Sequence, residues 1–450
     1  MKITFVGAGS VVFTKNLLQD LSLYPEFNQV EISLMDIDEI RLKIAQKVAE
    51  EIKEKRNKNW KINAYLELGP AIKNSDYVIN TVQIGGIPAT YVDFDIPEKY
   101  GIPQTIGDTH GVGGVMRFLR TAPFLKNLVR EIENSAPSSL LINFTNPMSM
   151  NQWYINSITD IKNIGLCHSI PNTIEQIASY INVPVQEINY KVAGINHMAW
   201  VLILERNKEN LYPILFKAME KEEIWKKDPV RFEILRNFGY FVTESSEHNA
   251  EYVPYFIKDE SLVKKLNIPI REYIRRVELN EKVFETYVNY YIHGREEFRD
   301  LGDKMLRDYF GGEEEEKVEQ EEKSKEYAIQ IIHAIETNTP TLIYGIVKNN
   351  NLITNYPSDC MVEVPCLVDK NGISPTFVGE IPSQLASLNL PHINVQRLAV
   401  ESALSGKRDY VYYAVSIDPL VSSLLSLDKI RSMVDELLSA HKEYLGDLLK

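Results

Sequence analysis

The chain of 450 residues holds only three cysteines, Cys167, Cys360 and Cys366. An odd number so widely spaced builds no disulfide framework. At least one thiol is unpaired, and a reducing compartment is the expected setting. Basic residues are also in short supply, with 49 Lys and Arg against 62 Asp and Glu and a net charge of −13. That balance argues against nucleic acid as the main partner, because phosphate backbones are met by basic faces. No uninterrupted apolar run reaches the ~20 residues of a membrane span, so no membrane partner is expected. No basic-then-apolar leader precedes the first strand signal at residue 2, and a cytoplasmic location is the expectation. Internal repeats are absent. What the chain does have is material for large cores, since 44% of its residues are apolar. Its length exceeds the ~100–200 residues of one ordinary domain, so two domains, or one with a large insertion, are expected.

The first third alternates strand and helix signals. "KITFVGAG" reads as a buried strand running into a glycine turn. In "FTKNLLQDLSLYP", Phe13, Leu17, Leu18 and Leu21 share one side of a helix. "VEISLMDID" and "DYVINTVQIGG" follow as second and third strands, then the helix "VMRFLRTAPFLKNLVREIENSAP", and then the short strands "SLLINFTNP" and "NIGLCHS". This rhythm predicts an α/β, Rossmann-like, doubly wound parallel sheet over residues 1–195, with ligands beyond the carboxyl ends of its strands. "YKVAGINHMAWVLILER" predicts an antiparallel pair of longer strands. From there to residue 450 a mostly helical α+β domain is expected. "GGEEEEKVEQEEKSKEY" reads as a solvated helix end or loop.

Gly7 and Gly9 sit where a β-carbon would obstruct a tight turn or the approach of a pyrophosphate, and a helix N-terminus would follow to bind the anion. Asp36 ends the second strand. A carboxylate there accepts hydrogen bonds from an adenosine ribose and disfavours a 2′-phosphate, which predicts NAD over NADP. Asp36 also fits a cap on the next helix, together with Asp38.

Further along, Asp108 and His110 precede Gly111, Gly113 and Gly114. Such glycine density suggests backbone packed on a ligand, or a plain loop. Asn146 precedes a proline and is held extended or in a turn. Cys167 and His197 offer thiolate and imidazole, good ligands for a divalent transition metal, although their spacing matches no local zinc pattern. Each alone equally fits a core residue. "GYFVTESSEHNAEYVPYF" crowds Glu244, Glu247, His248, Glu251 and Tyr252 into nine positions, a mixture unusual for a plain surface segment.

Taken in order, "KITFVGAGS", "LMDID", "QIGG", "GDTHGVGGVMRFLRT", "NFTNPMSMN", "GLCHS", "AGINHMA", "GYFVTESSEHNAEY" and "VEVPCLVDKNGI" resemble glycoside hydrolase family 4, and within it the α-galactosidase branch. Members of that family depart from two-carboxylate glycoside hydrolysis. The resemblance implies bound NAD and Mn²⁺ or another divalent transition metal. It implies a small α-linked sugar as substrate and a homodimer or homotetramer. It also implies a sequence of C3 oxidation, C2 deprotonation, elimination at C1, water addition and return of the hydride. By position, Cys167 and His197 match the metal ligands, Asn146 a residue touching substrate and cofactor, and Asp108 an acidic group near the sugar hydroxyls. Gly7, Gly9 and Asp36 match the dinucleotide loop, with Ser10 and Asn80 added as cofactor contacts.

Two departures bear on specificity and on the acid and base. His168 stands where phosphosugar-specific members carry Asp or Asn, which favours an unphosphorylated substrate. Val242 replaces a proline, with Ser245 or Ser246 at the usual place of the base. Glu244, Glu247, Tyr252 and His168 are then candidates for the proton transfers. The alternatives are an α-galacturonidase or α-glucosidase of the same family, with Arg276 or Lys304 near a sugar carboxylate. A malate- or lactate-type dehydrogenase is another, using His197 and Arg120.

Overall fold

A computed structural model describes residues 1–310 and 324–449. Most of the acidic stretch read above as a solvated end lies outside the described residues.

Among the described residues, twelve strands form one sheet: β1 (Lys2–Val6), β2 (Glu31–Met35), β3 (Lys61–Tyr65), β4 (Tyr77–Asn80), β5 (Leu140–Asn143), β6 (Asn163–Gly165), β7 (Asn189–Ile195), β8 (Met198–Arg206), β9 (Glu209–Asn210), β10 (Thr341–Lys348), β11 (Met361–Asp369) and β12 (Gly372–Pro375). They run in the order β3-β2-β1-β4-β5-β6-β10-β11-β7-β8-β9, with β12 alongside β11. The first six pair in parallel, in the arrangement of a dinucleotide-binding sheet. β1, β4 and β5 are buried along their whole length because helices cover both faces, which is why they read as continuous apolar runs. The helix Val11–Ser22 buries Leu17, Leu18 and Leu21 as its spacing predicts, while Phe13 turns towards the site and meets Phe144 edge-on.

The sheet corrects the sequence reading in several places. β3 was not anticipated. Its "KINAY" is half-exposed at the sheet edge, so it carries no continuous apolar signal. The helix expected from Val115 begins at Gly111 and runs to Ser135. β10, β11 and β12 interrupt what was expected to be mostly helix. Their β-branched, apolar segments carried that signal. The antiparallel β7–β8 pair is present as expected.

One register pair, Ile346 with Gly165, joins the parallel strands to the antiparallel ones. Another, Glu363 with Gly194, continues the join from β11 to β7. At the first join glycine is required by close approach: a β-carbon on Gly165 would lie 2.6 Å from Met148 Sδ and 3.1 Å from Ile346 Cβ.

Candidate active site

The carboxyl ends of β1, β2, β4, β5 and β6, together with the β7–β8 turn, converge on one face. Beyond β1, Gly7 takes φ +85°, and a β-carbon on it would lie 3.0 Å from the Val82 amide nitrogen. The Gly7 and Ala8 N–H groups both donate to the Met35 carbonyl, closing the turn on β2. Asp36 Oδ2 accepts from the Gly9 N–H at 2.7 Å, and a β-carbon on Gly9 would lie 2.5 Å from that oxygen. Asp38, not Asp36, caps the following helix by accepting from the Ile40 and Arg41 N–H groups. Asp36 is therefore free of the capping role and stands at the glycine turn, where a ribose carboxylate belongs. Ser10 leads into the first helix, exposed and without a side-chain cap bond, so the amide end of that helix faces the opening.

A cavity of about 530 Å³ opens there, lined by Ser10, Phe13 and Thr81 as well as by Cys167, His197, Glu244 and His248. Cys167 Sγ, a His197 ring nitrogen and a Glu244 carboxylate oxygen lie within 4.8 Å of one another. His197 Nε2 faces Glu244 Oε1 at 3.7 Å, and its Nδ1 lies 3.2 Å from the Tyr252 hydroxyl. With Nδ1 engaged by the phenol, Nε2 is presented to a metal. Burial favours the neutral ring and lowers the His197 pKa to about 4. Burial alone would raise Glu244, but the imidazoles of His248, His197 and His168 override it and hold the carboxylate ionised. Burial, then Glu363 and Glu244, push the Cys167 thiol well up, against the Ser169 N–H that points at Sγ. A buried sulfur in that setting becomes a thiolate by exchanging its proton for a cation. His197 and Glu244 adopt φ of +65° and +73°, strained values for residues with a β-carbon. One sulfur, one nitrogen and one oxygen donor, all buried or half-buried, suit a divalent transition metal.

Asp108 flanks this cluster: Asp108, His197 and His248 form a second group whose ligand atoms lie within 4.8 Å. Its Oδ1 accepts from Thr109 Oγ1 at 2.7 Å and its Oδ2 from Asn146 Nδ2 at 3.2 Å. Burial would raise its pKa, but Arg117, His197 and His248 pull it below the usual range. The loop that carries Asp108 is pinned from behind. Glu251 accepts the N–H groups of Thr105, Ile106 and Gly107 at 2.8, 3.2 and 2.8 Å. Burial raises Glu251 to about 7 against those bonds. The glycines expected to approach a ligand approach this loop instead. A β-carbon on Gly113 would lie 2.3 Å from the Gly107 carbonyl oxygen, and one on Gly114 would lie 2.5 Å from that of Thr109.

Tyr252, Asn80, Glu247 and Arg120 do not line the cavity. Tyr252 is fully buried and touches His197 rather than the opening, so it positions a ligand. Asn80 is fully buried too. It donates to Asn143 Oδ1 and Thr145 Oγ1 and accepts from the Val82 N–H, which organises the strand ends beneath the site. Glu247 does not line the cavity; its carbonyl holds Thr105 Oγ1. Arg120 is locked onto Asp93 by two hydrogen bonds deep in the fold and does not line this cavity, so the dehydrogenase-type arrangement with His197 does not form. His168 stays at the opening, 51% exposed, with Nδ1 at 3.2 Å from Glu326. Burial works against its charge, but Glu326 overrides it and raises its pKa. Tyr273 and Phe310 line the cavity beside Arg276 and were not anticipated, because they lie on segments with no motif.

Glu363 is buried near the cluster, where burial raises it to about 8 and one of its oxygens has no hydrogen-bond partner. A carboxyl whose folded pKa lies above its unfolded value favours the fold at low pH and loses that contribution as pH rises through the folded value. In the metal-free protein, Glu363→Gln is therefore expected to shrink the drop in Tm between ~pH 5 and ~pH 8. Thermal melts of both proteins across that range check this; parallel curves would show that Glu363 does not titrate there.

The chain belongs to family 4 of the glycosyl hydrolases: the family model matches residues 2–183 and that of its C-terminal domain residues 192–421. It is 42% identical to an alpha-galactosidase of Bacillus subtilis, over 99% of each chain. It is 31% identical to an alpha-galactosidase of Rhizobium meliloti, over 99% of this chain and 89% of that one. Among solved structures, the 6-phospho-beta glucosidase of Thermotoga maritima with NAD and glucose-6-phosphate superposes with a TM-score of 0.79 over 99% of each chain, at 22% identity. That likeness shows the shared fold.

Proposed function

We propose that the protein hydrolyses unphosphorylated α-galactosides, with NAD and Mn²⁺ or a similar divalent transition metal as cofactors. The observation that carries this is the convergence of Cys167, His197 and Glu244 on a cavity that the start of the glycine-turn helix also lines. Identity of 42% to an alpha-galactosidase supports the sugar. When bound, NAD⁺ supplies a reversible hydride acceptor for sugar C3, and the metal a Lewis acid at the C2 and C3 oxygens.

The chain's own residues do the rest. Gly7, Gly9 and Asp36 receive the pyrophosphate and ribose. Cys167, His197 and Glu244 hold the metal, with Tyr252 fixing the His197 ring. Asp108, kept ionised, and Asn146, hydrogen-bonded to it, accept and orient sugar hydroxyls. Glu244 is too acidic to deliver a proton. His168, whose pKa Glu326 raises at the cavity mouth, is placed to give a proton to the leaving oxygen. The acid's share of the rate grows as the leaving group becomes more basic. His168→Asn is expected to slow hydrolysis of an alkyl α-galactoside by ~10²-fold while sparing the p-nitrophenyl substrate. Equal losses on both would remove His168 from this role.

We read residues 1–195 as the NAD-binding unit and 196–450 as the unit of substrate binding, metal binding and assembly. A cytoplasmic homodimer or homotetramer is the expected form, which light scattering would check. No helix among the described residues is long and apolar enough to cross a membrane. A galacturonide is the second reading, because Arg276 lines the cavity, although its Nε is engaged by Glu272 at 3.1 Å. The test is p-nitrophenyl α-galactoside hydrolysis with NAD⁺, Mn²⁺ and a thiol reductant, each omitted in turn. Omission of NAD⁺ or metal is expected to abolish activity. Activity that survives exhaustive removal of NAD overturns the reading, and preference for the galacturonide moves the substrate.

A further inference from the structure

Abstraction of the C2 proton needs a base, and most titratable groups around the cavity are already committed. Both oxygens of Asp108 accept hydrogen bonds. Glu244 and His197 belong to the donor cluster. His248 Nδ1 lies 2.9 Å from Ser245 Oγ and 3.2 Å from Glu244 Oε2. His168 Nδ1 lies 3.2 Å from Glu326 Oε1.

Tyr273 is different. It lines the cavity, and its hydroxyl oxygen accepts a hydrogen bond from Arg117 Nη1 at 2.8 Å. Arg117 is buried, and no carboxylate among the described residues comes within ion-pair distance of it. Its charge acts on the nearby Asp108 carboxylate, and its Nη1 is turned to the Tyr273 hydroxyl. Its hydrogen bond is aimed at the one oxygen where negative charge would form if Tyr273 gave up its proton, and charge-assisted bonds of that kind are the stronger class. The backbone fixes the pair on the sugar-binding loop. The Tyr273 N–H donates to the Thr105 carbonyl at 3.0 Å and the Arg271 N–H to that of Gln104 at 2.8 Å. Tyr273 and Asp108 thus hang from the same few residues.

We propose that Tyr273 is the base that takes the C2 proton from the oxidised sugar, with Arg117 positioning its oxygen. This rests on the oxidation and elimination route proposed above. In the step, the Tyr273 phenol has already released its own proton to solvent; the C2–H bond breaks and an O–H bond forms on the phenolate oxygen that Arg117 faces. The electron pair enters the C2–C3 enediolate. It then becomes the C1–C2 double bond as the C1–O bond breaks, and the leaving oxygen takes the His168 proton. Water addition runs the same transfers in reverse, returning the proton from Tyr273 to C2.

Hydrolysis in deuterium oxide with NAD⁺ and Mn²⁺ tests this. Wild-type protein is expected to place deuterium at C2 of the released sugar. Tyr273→Phe is expected to lower kcat by ~10²–10⁴-fold, the range of a lost general base. Its isotope effect for C2-deuterated substrate should rise while that for C3-deuterated substrate disappears. Reduced nicotinamide should accumulate in a single turnover, and calorimetric affinities for NAD⁺ and Mn²⁺ should stay unchanged. Arg117→Met should move the same quantities less, with Arg117→Lys partly restoring them. A Tyr273→Phe protein that keeps the wild-type C2 isotope effect, or that loses cofactor affinity in proportion to rate, overturns the assignment. Wild-type protein that incorporates no deuterium at C2 overturns the reaction itself, and the role of Tyr273 with it.

Discussion

Cys167→Ser and His197→Asn are each expected to lower activity on the order of 10³-fold, because a Lewis-acid metal supplies several kcal/mol of transition-state stabilisation. The two substitutions remove different donors from one cluster, so they should fail in the same way. Serine keeps the volume at residue 167 but offers a hydroxyl in place of a polarisable thiolate. Asparagine tolerates the left-handed backbone of His197 at φ +65°, so the fold should survive the change. The discriminating measurement is calorimetric Mn²⁺ affinity beside NAD⁺ affinity. Metal affinity should collapse while NAD⁺ affinity holds, since neither the glycine turn nor Asp36 belongs to the donor cluster. Full retention of metal binding in either variant would remove that residue from the ligand set.

Gly113→Ala carries the second large effect, and it acts through backbone. The added β-carbon would lie 2.3 Å from the Gly107 carbonyl oxygen and 2.8 Å from Gln104 Oε1. The glutamine is itself held, its buried amide donating to the Asp93 carbonyl and accepting from the Gly113 N–H, and the Gly107 carbonyl belongs to the loop that Glu251 pins through three N–H groups. Overpacking of this kind costs ~1–3 kcal/mol. Yielding loop residues would carry Asp108 away from the sugar. A lowered Tm together with a raised KM for the galactoside is therefore expected, with NAD⁺ affinity near normal. An unchanged Tm would mean that the loop relaxes freely and that the glycines are not needed for packing.

The dinucleotide half was largely legible in the chain. Its strands are buried on both faces and announce themselves as apolar runs, and its turn needs glycines at fixed places. Cys167 and His197 were singled out because each ends a strand that aims at the cofactor. Their convergence with Glu244 was not legible from spacing, since the three come from separate segments and meet only above the sheet. Tyr252 illustrates the same limit. Its type and place in a crowded motif suggested chemistry, yet burial turns its hydroxyl onto His197. The glycines after His110 were legible as a sign of close approach but not of what is approached. Tyr273 gave no signal at all. Its significance comes from Arg117, more than 150 positions earlier in the chain, which donates to its hydroxyl.

The join between the parallel and antiparallel strands has a mechanical consequence. In sheet order β6 and β7 are separated by β10 and β11, and each neighbouring seam is closed by a single register pair. Cys167 follows the first of these strands and His197 the last, so an ion held between them spans both thin seams like a rivet. Its binding energy is then also cohesion of the sheet, growing with free metal as RT ln(1 + [M]/Kd). Chelation would then remove that contribution to cohesion along with the chemistry.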